Sequence, residues 1–247
     1  MKINIATINL QSGVATTKGI LHYVLTGWKY WLPHSDRPIR QAGEMLKQEE
    51  IGIACVTEIT EKSLRSGFRS QTETLATSAD LNNWNFFSSQ KLGKFFFYEG
   101  NALLSKYPIS HPISHPLHIE LNMRMALEEA TVEIQGQKIS IFIAHLALTK
   151  RARQIQISEI IEILEDRTGP IILAGDFNER RPGALDILLQ QTPLKQICTL
   201  KTYPSWDSKY SLDYILLSKE FTVLDCHIPN SPAFSDHSPL IVKAELN

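Results

Sequence analysis

Ile171-Ile172-Leu173-Ala174-Gly175-Asp176-Phe177-Asn178 carries the strongest structural signal in this chain. Four apolar residues read as a buried strand, and a glycine then delivers Asp176 and Asn178. Residues two apart on an extended chain project to one side. A carboxylate and a carboxamide are therefore expected to emerge together from the C-terminal end of a core strand. Asp176 would position a water or help hold a metal, and Asn178 would donate to a phosphate oxygen. The competing reading is an Asx turn, for which Gly-Asp and Asn are common residues. The surrounding chain decides between them.

On the N-terminal side, residues 149–166 place Ile157, Ile160, Ile161 and Leu164 at helical spacing, and Gly169-Pro170 ends that helix. Before it, strands around 126–134 and 138–145 are joined by a turn at Gln135-Gly136-Gln137. Residues 2–10 alternate like a half-buried strand, and 51–57 form the continuous apolar run of an interior one. A helix begins near Ser35-Asp36, tolerates Pro38 in its first turn and runs through Leu46. A second helix near 71–82 precedes strand-like runs at 84–89, 94–98 and 101–104. Beyond Asn178 come a short helix near 183–190 and strands at 212–218, 221–228 and 238–246. No linker, repeat or low-complexity block interrupts the 247 residues, so one domain over 1–247 is expected, with sheets inside and helices outside.

With 43% hydrophobic and 21% charged residues, the composition is that of an ordinary globular protein. A net charge of −1 gives no global attraction to polyanions and weighs against processive DNA binding. The cysteines (Cys55, Cys198 and Cys226) are three, far apart and without a CxxC pair, so neither a disulfide framework nor a zinc site is expected. Cys55 reads as a buried small hydrophobe. A reducing compartment follows as the default. The most membrane-like segment, Ile20 to Leu32, is too short to span a bilayer and contains His22 and Lys29. The N-terminus lacks the apolar region of a secretory signal. A cytoplasmic location with no obligate protein partner is the expectation.

Other apolar runs also end in polar groups. Asn9 follows the first strand, Glu58 the 51–57 run and His145 the strand at 139–144. Asp213 opens the run Asp213-Tyr214-Ile215-Leu216-Leu217, Asp236-His237 precedes the last strand, and Arg124 sits just before the strand at 126–134. A carboxylate straight after a hydrophobic strand is costly if buried unpaired. Its recurrence at strand ends places these groups around one cleft. Carboxylates, an amide and imidazoles suit a hard cation that binds phosphate, and Mg²⁺ takes only one or two protein carboxylates.

The ordered set Asn9, Glu58, Arg124, His145, Gly175-Asp176-Phe177-Asn178, Leu212-Asp213-Tyr214 and Ser235-Asp236-His237 resembles the endonuclease/exonuclease/phosphatase superfamily. Gly100-Asn101-Ala102-Leu103-Leu104-Ser105-Lys106-Tyr107-Pro108-Ile109 is similar to another segment of that family. The resemblance spans residues 3 to 245. It implies a deoxyribonuclease I-like, four-layer α/β sandwich, with two mainly antiparallel sheets face to face and helices outside. It also implies hydrolysis of a phosphate ester dependent on Mg²⁺ or Mn²⁺. In that resemblance Glu58 is the principal metal ligand with Asn9 beside it, and Asp236 supports the metal region. Asp176 orients the attacking water, Asn178 and Arg124 bind phosphate, and His145 contacts it from the opposite side. His237 is hydrogen-bonded to Asp213, which fixes its tautomer.

The expected substrate is a phosphodiester, whether nucleic acid, a nucleotide, or a phospholipid or sphingolipid headgroup. A catalytically silent binding module on the same scaffold is the alternative. Gln11 stands where family nucleases often carry a further acidic or amide residue, and Glu99 is the candidate partner for His145. The segment 18–33, with Tyr23, Trp28, Tyr30 and Trp31, reads either as a wall that stacks on substrate or as an amphipathic helix closing the rim. Tyr203, Pro204 and Trp206 either flank the cleft or pack beside it. Lys91, Lys94, Lys106, Lys150, Arg151 and Arg153 are available for a local basic rim. Besides His145 and His237, the histidines, including His111, His115 and His118, are expected on exposed strand or loop positions.

Overall fold

The computed structural model describes residues 1–89, 95–119, 125–180, 183–231 and 233–247. Period-two alternation sets the layers. In the first strand, β1 (Lys2–Asn9), Ile3 and Ile5 face an inner core, while Ala6 and Ile8 face outward. After helix α1 (Ile20–Thr26) and helix α2 (Arg37–Gln48), strand β2 (Ile53–Thr60) repeats the alternation with Ile53 and Cys55 inward. Pro38 lies in the first turn of α2, where its missing N–H costs nothing. Helix α3 (Gln71–Ala79) is capped by the Ser70 hydroxyl, which accepts from the Glu73 amide at 2.9 Å.

Strands β3 (Asn83–Ser88), β4 (Glu99–Ser105), β5 (Ile109–Pro116), β6 (Ala126–Ile134) and β7 (Gln137–His145) follow, then helix α4 (Lys150–Glu165). Gln135 and Gly136 form the two-residue β6–β7 loop, both with positive φ, as a type I′ hairpin requires. Strand β8 (Ile171–Asp176), helix α5 (Ala184–Gln191), and strands β9 (Lys195–Gln196), β10 (Asp213–Leu217), β11 (Phe221–His227) and β12 (Leu240–Leu246) complete the chain.

The strands form two six-stranded sheets, ordered β11-β12-β1-β2-β4-β3 and β5-β6-β7-β8-β10-β9. Ile141, Ile143, Ile172 and Ala174 of the second sheet meet Ile5, Cys55 and Val242 of the first across the inner core. Helices α2 and α3 cover one outer face through Ile39, Leu46 and Leu75; α4 and α5 cover the other through Ile160, Leu164 and Leu188. The result is a four-layer α/β sandwich.

Strand direction gathers the polar ends. β1 is parallel to β2, and β7 to β8, so Asn9, Glu58, His145 and Asp176 lie toward the C-terminal ends of their strands. β4 and β10 run antiparallel to β2 and β8, which brings their first residues, Glu99 and Asp213, to that same end. Gly175 permits a close approach between β7 and β8: its φ is +142°, and a Cβ there would lie 2.0 Å from the Ala144 carbonyl oxygen. No L side chain fits that contact.

Several expectations are corrected. Residues 95–98 form no strand, and 90–94, with Lys91 and Lys94, lie outside the described residues. Glu58 sits inside β2 rather than after it. His34 is buried, with its ring nitrogens at 3.2 Å from the Ser12 carbonyl and 3.3 Å from that of Leu32. Cys198 and Cys226 form a disulfide across 28 residues of sequence, joining the β9 end of one sheet to β11 of the other. A long-range pair without a motif becomes visible only once the sheets are placed, and it removes cysteine usage as a reason to expect a reducing compartment. Among the described residues no helix is long and apolar enough to cross a membrane.

The interior also holds an ionisable group that no sequence pattern marks. Glu128 of β6 is buried, contacts the Ser114 hydroxyl, and burial pushes its carboxyl up to about 7 despite that contact. A raised carboxyl favours the folded state below its unfolded value, and that contribution is lost as pH rises through about 7. Glu128→Gln is therefore expected to gain stability above neutrality, on the order of 2 kcal/mol, with little change in acid. Urea melts of both proteins from acid to pH about 8 check this; parallel pH profiles would refute it.

Candidate active site

A cleft of about 330 Å³ opens at the gathered strand ends. Its lining includes Glu58, His145, Asp176, Asn178, Asp236 and His237, with Glu99, Arg180 and Tyr203 also on its walls. Asn9 and Asp213 stand behind these and hold them. Arg124 lies outside the described residues.

Glu58 reaches the cleft through a β-bulge. The β2–β4 register shifts between Val56 and Ile59, and Glu58 itself has φ of +52°. Such bulges re-aim a side chain out of the alternation. The Asn9 amide Nδ2 donates to Glu58 Oε1 at 2.9 Å and to Asp176 Oδ2 at 3.1 Å. Its Oδ1 accepts from the Gln11 amide at 2.9 Å, which fixes the orientation of the carboxamide. Asn9 thus presents its donor, not its oxygen, to the carboxylates. Burial pushes the Glu58 carboxyl up to about 7; His145 opposes the shift, and the negative charges of Glu99 and Asp236 reinforce it.

Asp176 occupies the centre. Its Oδ1 accepts from the Asn178 amide at 2.8 Å, an Asx turn, while Oδ2 faces the cleft. The Asx turn forms and still leaves Oδ2 turned toward the cleft. β8 ends at Asp176, and Asn178 has φ of +51°, so the two side chains are not set by strand alternation. The Asn178 side-chain Nδ2 instead donates to the Leu146 carbonyl at 2.8 Å from a position on the cleft wall.

Two histidines flank Asp176 Oδ2. His237 Nε2 lies 3.8 Å away and His145 Nε2 3.9 Å away. His237 Nδ1 is 2.8 Å from Asp213 Oδ2, and both residues are buried. Burial disfavours the charge on His237, but Asp213 and Asp176 outweigh it and hold the imidazole well above its ordinary range. Tyr203 packs on the His237 ring, centroids 4.8 Å apart. His145 Nε2 is also 3.7 Å from Glu58 Oε1.

Glu99 is not the partner of His145. Its Oε2 is held at 2.5 Å by Arg65, a buried guanidinium that also donates to the Ser12 and Thr60 hydroxyls. Arg65 carries no motif, and only the folded β2–β4 pairing reveals it. Tyr23, which the sequence places only within the segment 18–33, donates its hydroxyl to Asp236 Oδ2 at 2.5 Å. Gln11 contacts no carboxylate of the cleft; its side chain binds Thr16 and the Tyr30 hydroxyl. The basic rim is also reduced. Arg153 is buried against the Ala147 and Leu148 carbonyls, and Lys106 sits at the far end of β4 from the cleft. His115 pairs with Glu129, itself doubly bonded by Arg167, well apart from the site.

Ligand atoms from Glu58, His145 and Asp176 lie within 4.8 Å of one another, as do those from Asp176, Asp213 and His237. The first set fits a divalent ion: it is open to the cleft, and Glu99 and Asp236 add negative charge beside it.

The model of the Endonuclease/Exonuclease/phosphatase family matches residues 6–237, and so contains every group described above. The chain belongs to that family. Members of the endonuclease/exonuclease/phosphatase family are phosphoesterases and generally depend on a divalent metal, and the acidic and imidazole groups here are of the matching kind. Among curated relatives, the Escherichia coli (strain K12) protein YbhP, itself uncharacterized, is 27% identical over 161 residues. That stretch is 60% of this chain and 64% of YbhP, so the match spans less than two thirds of the relative's length. An endonuclease/exonuclease/phosphatase from Beutenbergia cavernae shares the fold with a TM-score of 0.77 at 16% identity, covering all of this chain and 72% of that one. The mannosyl-6-phosphatase of Bacteroides thetaiotaomicron does so with a TM-score of 0.73 at 15% identity, over 99% of this chain and 100% of that one.

Proposed function

We propose that this family member is a Mg²⁺- or Mn²⁺-dependent phosphodiesterase. The observation that supports the reading most strongly is Asp176 Oδ2, flanked by two imidazoles and tied through Asn9 to Glu58. Glu58 would be the principal metal ligand, with Asp236 charge nearby and Asn9 fixing the spacing between Glu58 and Asp176. The bound ion supplies charge neutralisation at the phosphoryl group.

The chain's own groups do the rest. Asp176 Oδ2 accepts a hydrogen bond from the incoming water and orients it. His237, kept cationic by Asp213, donates from Nε2 to a phosphoryl oxygen as negative charge develops there. His145 contacts the phosphate from the Glu58 side, and Asn178 bounds the pocket beside it. Arg124 retains its proposed place as a phosphate contact.

A diester is favoured over a monoester on charge. Glu58, Glu99, Asp176 and Asp236 crowd one cleft, and Arg180 is the arginine on its wall among the described residues. A monoanionic diester meets less repulsion there than a dianionic monoester. The silent-module alternative is disfavoured because each described acidic, amide and imidazole group of the set is present and converges. Assaying matched phosphate diesters and monoesters with saturating Mg²⁺ tests the reading. Diester turnover is expected to exceed monoester turnover by about 10-fold or more, equivalent to a barrier difference near 1.4 kcal/mol. The reverse order would make the enzyme a phosphomonoesterase.

A further inference from the structure

Helix α1 and the 3-10 turn after it, Gly27–Tyr30, have their polarity reversed. Their hydrogen-bonding side chains point inward. Tyr23 binds Asp236, Thr26 is buried with its hydroxyl 3.0 Å from that of Thr16, and Tyr30 accepts from Gln11 at 2.9 Å. Their apolar side chains point out. Ile20, Leu21, Val24 and Leu25 are 81%, 79%, 79% and 70% exposed, and Trp28 and Trp31 continue the exposed surface. The spacing makes one stripe along the helix. A helix that merely closed the rim of the sandwich would bury this stripe.

The apolar surface extends further. Trp31 packs edge-on against Phe97 at 5.2 Å, and the neighbouring Phe95 and Phe96, with Phe68, are each more than half exposed. Exposed apolar patches of this kind mark interaction surfaces. Charge indicates the partner. Residues 17–34 contain no aspartate or glutamate, and the exposed Lys18 lines the groove beside α1 together with Arg180, while the Lys29 ammonium turns inward to donate to the Val14 carbonyl at 2.9 Å. Position indicates the purpose. A groove of about 510 Å³ runs between Lys18, Leu21 and Trp206, and shares Arg180 and Tyr203 with the catalytic cleft. A protein docked permanently on this face would cover that entrance, whereas a lipid surface would deliver phosphodiesters to it.

We propose that this face docks on bilayers containing anionic phospholipid, with α1 lying in the interface and the groove admitting a headgroup to the cleft. At seven residues α1 cannot span a membrane, but its outward stripe and the exposed Lys18 just before it suit the headgroup boundary. The inference rests on the phosphodiesterase reading and names the physical source of its substrate.

Flotation with phosphatidylcholine vesicles, with and without phosphatidylglycerol, tests it, together with tryptophan emission. The protein is expected to float with the anionic vesicles and its emission to shift to the blue. Val24→Ser/Leu25→Ser should lower partition roughly 10-fold or more, since burying each such side chain is worth about that factor. The same variant should hydrolyse soluble bis(4-nitrophenyl) phosphate at the parent rate. Absence of flotation, flotation unchanged in the variant, or a dimer that the variant disperses would each overturn the proposal. Hydrolysis of the soluble diester without vesicle binding would sink the docking alone. Docking without hydrolysis of any phosphodiester would sink the catalytic reading and leave the docking standing.

Discussion

Asp176→Asn is expected to lower kcat on a soluble phosphodiester by roughly 10²-fold or more in a protein that still folds. Its stability cost is about 1–3 kcal/mol, for the Asn9 donor left without its acceptor. The asparagine side chain retains an oxygen to accept from the Asn178 amide, so the turn after β8 survives. What disappears is the negative oxygen that faces the cleft between His145 and His237. His237→Gln should cost roughly 10²-fold or more by a different route, through loss of the cation opposite the reacting phosphate. Combining the two changes should cost less than the product of the single losses, because both act on one transition state. Steady-state rates with melting curves for all three variants check this. A folded Asp176→Asn enzyme with unchanged kcat would remove Asp176 from the chemistry.

Glu58→Gln should have an equally large effect, expressed in metal response. The neutral amide relieves the crowding with Glu99 and Asp236, so the metal-free protein should melt no earlier than the parent. Metal binding should fail, because the ion loses a charged ligand at its open side. In the parent, saturating Mg²⁺ or Mn²⁺ at about 100 times its Kd is expected to stabilise the fold by about 2.7 kcal/mol. The variant should show no such gain, and its turnover should fall by roughly 10²-fold or more at any metal concentration tried. Thermal melts against metal concentration give the answer. Equal metal-induced stabilisation in both proteins would place the ion elsewhere.

The features readable from the sequence were those with local causes. Ile171–Asp176 is a buried strand because four apolar residues precede a glycine whose backbone must touch Ala144. The β6–β7 hairpin follows from Gln135-Gly136, and α4 from the spacing of Ile157, Ile160, Ile161 and Leu164. The pairing of His237 with Asp213 was an expectation of the family resemblance, and the two rings of evidence, motif and 2.8 Å contact, meet there. Features that depend on strand register stayed hidden. The bulge that turns Glu58 into the cleft is a property of how β2 pairs with β4, not of the run Ile53 to Thr60. Arg65 on Glu99 and Cys198 on Cys226 join positions that no periodicity links. For the segment 18–33, exposure disfavours the rim-closing helix of the two readings its sequence allows. Apolar residues at helical spacing normally mark the buried face, and here they mark the exposed one.

Crystals grown with Mn²⁺ in place of Mg²⁺, measured for anomalous scattering, test most directly whether Glu58 holds an ion in the cleft beside Asp176 and His145. The account predicts a peak in the cleft within about 2.6 Å of a Glu58 carboxylate oxygen, in the range of hard-cation ligation. A manganese peak on another face of the protein, or a cleft without one at saturating metal, would contradict it.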